Sequence, residues 1–157
     1  IIELVKDIEM NYWFECKVSY ERQADSMGMK KVSESYLVDA LSFTEAEERI
    51  IQEIRPFVSV GDLEVVNIRR ARIAELFLSE VPEEDKYYRA KVNFITVDEK
   101  SGSEKKTAAQ MIVKSDSLIN AVTTLEAELE KTSGNHEIAS ITDTQILDVF
   151  RYEAPQK

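Results

Sequence analysis

The sequence contains an internal repeat, and this repeat constrains the fold more than any other feature. Residues 13–20 (WFECKVSY) align with residues 87–94 (YYRAKVNF), and the correspondence continues downstream. The spacing between matched residues changes only where loops are expected, which is how a duplicated structural unit accommodates insertions. Further matched pairs are Lys31 with Lys106, Ser42 with Ser117, Glu53 with Glu128, Glu64 with Glu137 and Phe77 with Phe150. We therefore expect two copies of one structural unit.

The first strand of each copy is predicted from strict alternation of apolar and polar residues. Alternate residues face opposite sides of a strand, so this pattern indicates a sheet with one buried and one solvated face. The expected buried residues are Phe14, Cys16, Val18 and Tyr20 in copy one, and Tyr88, Ala90, Val92 and Phe94 in copy two. The expected solvated residues are Trp13, Glu15, Lys17 and Ser19, and then Tyr87, Arg89, Lys91 and Asn93.

A polar turn, a second strand and a helix follow in each copy. The turns span residues 23–29 and 98–104, and the second strands lie near residues 31–39 and 106–114. Apolar residues at spacings of three and four then mark one face of each helix. These stripes are Phe43, Ala46, Ile50 and Ile54 in copy one, and Leu118, Ala121, Leu125 and Leu129 in copy two.

Capping signals define the ends of the helices. The first helix can begin with a capping box formed by Ser42 with Glu45, or by Thr44 with Glu47. Pro56 is expected to end it, because proline cannot continue a helix. The second helix is expected to end at Gly134 and Asn135, residue types that favour the left-handed conformation found after helices.

The third strand of each copy is predicted to be long, covering about residues 63–78 and 137–150. The parity of its apolar residues changes midway, which indicates a bulge or bend that lets each half face a different core, or a strand covered on both sides. We expect the long third strands to be the places where one copy reaches over the other. A third strand beside the first would be antiparallel to it and give the order 2-1-3. The predicted fold class is therefore α+β, with two tandem β-β-α-β units related by a pseudo-twofold axis and a mainly antiparallel sheet with two helices.

We expect the two repeats to share a single domain at residues 10–152. Repeat one covers residues 11–79, an acidic linker covers residues 80–86, and repeat two covers residues 87–152. Residues 1–9 form an N-terminal extension with no counterpart in copy two, and residues 153–157 form a tail. We expect Met10 to be the functional start and the extension to be dispensable.

Composition and charge limit the classes of partner. The chain carries 20 Lys and Arg against 30 Asp and Glu, a net charge of −10, which repels nucleic acid and anionic membranes at long range. No apolar run approaches the ~20 residues needed to cross a bilayer, and no signal peptide is visible. The single cysteine, Cys16, matches Ala90 and is interpreted as a small buried residue. A cytoplasmic location is the expectation.

The side-chain inventory does not favour an enzyme. One histidine, His136, and one cysteine cannot supply a catalytic triad or a zinc cluster, and four glycines form no phosphate-binding loop. The paired carboxylates occur at a helix start and in the linker, where complementing the helix dipole and solvation explain them. We therefore predict no catalytic residues, no metal and no cofactor.

Two sets of residues are candidates for binding. On the solvated face of the first strands Trp13 matches Tyr87, and Lys17 matches Lys91. Aromatic residues beside lysines resemble a stacking platform for single-stranded nucleic acid, although packing against the other copy or a second subunit is the simpler interpretation. The second set is Arg69, Arg70 and Arg72, which could bind an anion or pair with acidic residues of the second copy or a partner.

Several segments resemble an uncharacterised family of small Bacteroidetes-type tandem-repeat proteins, a domain of unknown function. They are residues 13–21, 30–47, 91–102, 138–140 and 148–150. The resemblance covers nearly everything from Met10 to Tyr152. It implies a bacterial origin but no activity, and it transfers no catalytic or binding residue.

The function predicted from these observations is a non-enzymatic binding or assembly module. A protein partner or self-association, through exposed strands or the aromatic face, is favoured over nucleic acid, and no membrane is expected. A single-stranded nucleic-acid-binding protein using Trp13, Tyr87, Lys17 and Lys91 with the arginines is the first alternative. The second is a small-ligand binder with a pocket between the repeats.

Overall fold

A computed structural model describes residues 12–24, 28–132 and 134–151. The predictions for residues 1–9, for a start at Met10 and for the tail at 153–157 lie outside the described residues. The chain divides into two compact units. Unit 1 runs to Arg72 and resumes at Ile146, and unit 2 is Ile73–Gln145. The described part of the chain contains two helices and eight strands, so it is α+β.

Unit 1 holds a four-stranded sheet and one helix, α1. The strand order is β3-β1-β2-β8, with β1 antiparallel to both β2 and β3 and with β8 parallel to β2. The predicted order 2-1-3 is confirmed here, and β8, predicted as the end of the third strand of copy two, is the fourth strand of this sheet. The elements are β1 (Tyr12–Ala24), β2 (Gly28–Ala40), α1 (Phe43–Ile54), a 3-10 turn (Arg55–Phe57), β3 (Val60–Ala71) and β8 (Ile146–Phe150).

Unit 2 holds a second four-stranded sheet and the helix α2. The strand order is β4-β6-β5-β7, in which β5 is antiparallel to β6 and β7, and β4 is parallel to β6. The elements are β4 (Glu75–Phe77), β5 (Lys86–Val97), β6 (Glu104–Ser115), α2 (Leu118–Glu130) and β7 (Asn135–Asp143). Both sheets are thus mainly antiparallel.

The core of each unit lies between its helix and one face of its sheet. The buried cluster of unit 1 contains the predicted inward residues of β1, together with Ala46, Ile50 and Ile54 from α1. The buried cluster of unit 2 contains Tyr88, Ala90 and Val92 from β5, with Ala121, Leu125 and Leu129 from α2. The predicted stripes were wrong at their first positions, because Phe43 and Leu118 are exposed. Each is the first residue of its helix, ahead of the turns that pack on the sheet.

Serines cap the start of both helices: Ser42, as predicted, and Ser117, for which the sequence predicted no cap. The Glu45 amide donates to Ser42 Oγ over 3.1 Å, and the Asn120 amide donates to Ser117 Oγ over 3.2 Å. Glu45 also accepts from the Leu41 amide, one residue before the cap, over 3.1 Å. The capping pair is therefore Ser42 with Glu45, not Thr44 with Glu47, and its return bond goes to Leu41 in place of the Ser42 amide of a capping box.

The predicted long third strand is divided in two in both halves of the chain. β3 ends at Ala71, and the next strand, β4, pairs with β6 in unit 2. In the same way β7 ends at Asp143, and β8 pairs with β2 in unit 1. The parity change therefore marks a passage from one sheet to the other as well as bulges in β3 and β7, where the register shifts opposite Lys17 and Lys91.

The boundary between the units differs from the sequence-based division. Contacts divide the chain after Arg72 and after Gln145, whereas the predicted repeats were residues 11–79 and 87–152. The acidic stretch predicted at residues 80–86 lies within unit 2, with residues 80–85 between β4 and β5 and with Lys86 as the first residue of β5. In the described part of the chain neither helix is long and apolar enough to cross a membrane.

Candidate functional site

The first sheet brings three arginines and two aromatic residues to one end. Trp13 pairs with Ala71 and Glu15 with Arg69, so the start of β1 lies beside the end of β3. We call the five side chains at this place the arginine end: Tyr12, Trp13, Arg69, Arg70 and Arg72. Four of them were predicted from the sequence as binding residues.

The three arginines differ in how the fold holds them. Arg69 forms an ion pair with the Glu15 carboxylate on the neighbouring strand. The guanidinium carbon of Arg70 lies 3.8 Å from the centre of the Tyr12 ring, a cation–π contact. Arg72 is exposed beyond the end of β3, and no described residue forms an ion pair with it. Of the three arginines, Arg72 is therefore the one that could bind a partner without losing an ion pair or ring contact to another described residue.

Exposed apolar side chains lie at the same end of unit 1, and the sequence analysis missed them. Leu41 is 60% exposed and Phe43 is 53% exposed, while the edge of the Phe43 ring packs on Phe14 at 4.9 Å between centroids. Ala40, the residue before Leu41, pairs with Tyr12. The exposure of Leu41 could have been predicted from the sequence, because Leu41 falls outside the apolar stripe of α1. The exposure of Phe43 depends on where the helix meets the sheet.

Trp13 and Lys17, the two residues of β1 that were predicted to bind, lie on the outer face of the same sheet. Trp13 is half-buried beside Asp39, and Asp39 accepts an ion pair from Arg49 of α1. Lys17 is exposed opposite Ser35 and Asn67. Trp13 and Lys17 are therefore solvent-accessible to different degrees on one face of unit 1.

Tyr87 and Lys91 belong to unit 2. Tyr87 was predicted on a solvated face, but this prediction was wrong, because Tyr87 is 3% exposed. Lys114 Nζ lies 5.6 Å from the centre of its ring, and Thr144 Oγ1 donates to its carbonyl over 2.6 Å. Lys91 is exposed, as predicted. The aromatic–lysine pair seen in β1 is therefore not matched by an exposed pair in β5.

Each sheet carries one ion pair at matched positions. Lys31 Nζ lies 4.0 Å from Glu64 in unit 1, and Lys106 Nζ lies 2.9 Å from Glu137 in unit 2. The bond to Glu137 raises the pKa of Lys106, and the same bond lowers the pKa of Glu137. Such exposed pairs contribute little to stability, and they leave the lysines engaged within the fold.

The titratable groups with shifted pKa values do not form a catalytic arrangement. Burial raises the pKa of the Cys16 thiol to about 12, so it is neutral and unreactive at physiological pH. Burial, and then the Glu34 carboxylate, also raises the pKa of Tyr20 and of Tyr36, and Tyr20 donates a hydrogen bond to Glu34. Both phenols therefore remain protonated donors.

His136 lies in β7, not in the predicted turn, and is half-buried. Its Nδ1 atom is buried and has no hydrogen-bond partner among the described residues. In the same part of the chain no three histidine, cysteine or carboxylate side chains come close enough together to hold a metal ion. The arrangement that remains for chemistry is the arginine end, which can bind carboxylates or phosphates.

Comparison with known proteins adds a family to this description. No protein of curated function matches the chain. A family model described as "Domain of unknown function (DUF4494)" matches residues 12–152, which include all the described residues. The chain therefore belongs to the DUF4494 family.

Proposed function

We propose that this chain is a non-enzymatic assembly module that binds a second copy of itself through the arginine end. The observation that carries this proposal is the concentration of exposed arginine, aromatic and aliphatic side chains at one end of unit 1, in a chain of net charge −10. Arginine, tyrosine and tryptophan are the residue types most enriched in the centres of protein interfaces.

Association through this end is better supported than pairing of exposed strand edges. β3 lies at the edge of its sheet, but its register with β1 shifts twice, and it carries Asp62, Glu64, Arg69 and Arg70. Bulges and charges on an edge strand prevent further strands from adding to the sheet. Association through side chains at the end of the strand does not require a further strand to pair with β3, so the bulges and charges do not prevent it.

Nucleic acid is a weaker candidate for the partner. Arg69 and Arg70 already contact Glu15 and Tyr12, and the buried Tyr87 removes half of the proposed stacking platform. The net charge of −10 opposes a polyanion at long range.

The proposal is tested by sedimentation velocity of the purified chain over a range of concentrations. We expect the weight-average sedimentation coefficient to rise with concentration at physiological salt. A parallel titration measures the fluorescence anisotropy of a labelled single-stranded oligonucleotide at low salt, where phosphate contacts are strongest. A chain that stays monomeric and binds the oligonucleotide would replace self-association with nucleic-acid binding.

We also propose that the two units descend from a duplicated β-β-α-β segment with pseudo-twofold symmetry. Four pairs of matched residues support it, because the two members of each pair have the same role in their units. Ser42 and Ser117 cap the helices, Lys31 and Lys106 pair with Glu64 and Glu137, and Cys16 and Ala90 are fully buried. Superposition of the two units in an experimental structure tests this.

A further inference from the structure

We infer that the surface which receives the arginine end is the acidic loop at residues 79–85 of a second copy of this chain. This inference rests on the proposed self-association and names the second surface involved. The loop lies between β4 and β5 of unit 2, so each copy carries both surfaces.

Local hydrogen bonds give the acidic loop a defined shape. Ser79 Oγ donates to the Glu84 carboxylate and accepts from the Val81 amide over 3.1 Å. The Glu84 amide in turn donates to the Val81 carbonyl over 3.0 Å. A loop closed in this way loses less conformational entropy on binding than a flexible acidic tail.

The exposed side chains of the loop complement the arginine end. Glu80, Glu83 and Asp85 are exposed, whereas Glu84 is held by Ser79. Val81, between them, is also exposed and offers an apolar contact for Leu41. Carboxylates can bind a guanidinium through two parallel hydrogen bonds, which suits Arg72, since no described residue pairs with it.

The charge distribution favours a second copy of this chain as the partner. With 30 acidic and 20 basic residues, most of the surfaces that two copies could bring together repel each other. Three arginines within four positions are a local exception, and the acidic loop is the densest opposite charge in the sequence. Because every copy carries both surfaces, the contact forms a two-fold dimer when two copies make it reciprocally, and a ring or an open chain of copies when they do not.

Charge reversal with restoration tests the contact directly. Arg72→Glu and Glu83→Arg are each expected to weaken self-association about 10-fold, because each places like charges against one another. The double variant R72E/E83R has the wild-type net charge and exchanges the two partners, so it is expected to recover most of the affinity. Mixing the two single variants should also restore association, since a favourable contact of either polarity can then form.

Matched controls separate this contact from general charge effects. Arg55→Glu and Glu99→Arg change the net charge by the same amounts at exposed positions in the 3-10 turn and in the β5–β6 turn. We expect both to associate as the wild type does in sedimentation velocity. Circular dichroism and thermal unfolding of every variant confirm that it remains folded.

Two results would overturn the inference in distinguishable ways. In the first, the wild type associates, but R72E and E83R associate as tightly as the wild type, or the double variant does not regain affinity. The acidic loop is then not the second surface, and the proposed self-association stands. If the wild type is monomeric at every concentration, both fall together.

Discussion

Cys16 and Ala90 show how a single residue is used in this fold. They hold matched positions on β1 and β5, and both are fully buried on the core side of their sheets. The thiol lies 3.9 Å from the Phe14 carbonyl, which is at most a weak hydrogen bond. We conclude that the position requires a small apolar side chain and that sulfur chemistry is not used there.

Replacement of Cys16 by alanine is therefore expected to cost only about 1 kcal/mol of unfolding free energy at pH 8, since a small volume is lost. Urea denaturation of the wild type and of Cys16→Ala measures it. A larger cost would show that the thiol has a role beyond filling space.

The difference in unfolding free energy between the wild type and Cys16→Ala is also expected to depend on pH. The pKa of the thiol rises from 9.0 to about 12 in the folded chain, so above pH 9 the unfolded state loses a proton that the folded state keeps. The wild type should then lose stability relative to Cys16→Ala by about 1 kcal/mol per pH unit. Urea denaturation at pH 8 and pH 10 checks the sign, and an unchanged difference would contradict the burial of the thiol.

At the scale of elements, both helices depend on the same capping interaction. The amides at the start of α1 and α2 lack partners inside the helix, and Ser42 and Ser117 each accept a hydrogen bond from one of them. Neither α1 nor α2 has a basic residue in its last turn to complement the helix dipole. The N-terminal caps are therefore the main local contribution to helix stability beyond packing on the sheet.

Substitution of either cap by alanine should lower the unfolding free energy by about 1 kcal/mol. Ser42→Asp and Ser117→Asp should preserve stability, because aspartate also accepts from the helix amides. Chemical denaturation measures all four, and Ser140→Ala on the exposed face of β7 is the control. An alanine variant no less stable than this control would show that the cap is not used.

The elements that the sequence predicts best are those set by local pattern. Alternation located β1 and β5, the Ser42–Glu45 capping signal located the start of α1, and the apolar stripe located α2. The sequence did not predict that the third strands divide, because a change of parity fits a bulge, a bend or a passage to another sheet equally well. The same limit applies to Tyr87, since alternation places a side chain on a face without showing what covers that face.

At the scale of the whole molecule, each sheet is completed by a strand that directly follows a strand of the other sheet in the sequence. β8 comes from the end of the chain and completes the sheet of unit 1, while β4 follows β3 and completes the sheet of unit 2. Phe150 stacks on Tyr36 at 5.5 Å between ring centroids, and Phe77 packs against the core of unit 2. Each unit is thus complete only with residues from both halves of the sequence.

Removal of one of these rings should therefore weaken a unit distant in sequence. Phe150→Ala is expected to cost about 2 kcal/mol, since the ring is partly buried, and to speed amide hydrogen exchange in β1 and β2 more than in β5 and β6. Phe77→Ala should have the opposite pattern. Leu147→Ala, at an exposed position of β8, is the control.

The exchange of last strands is tested most directly by nuclear Overhauser contacts from the Phe150 ring in solution. We expect contacts from this ring to the Tyr36 ring, because β8 lies parallel to β2 with Phe150 opposite Val38. Contacts from the Phe150 ring to Met111 of β6 in their place would put β8 in the sheet of its own repeat. That result would contradict the arrangement of both units.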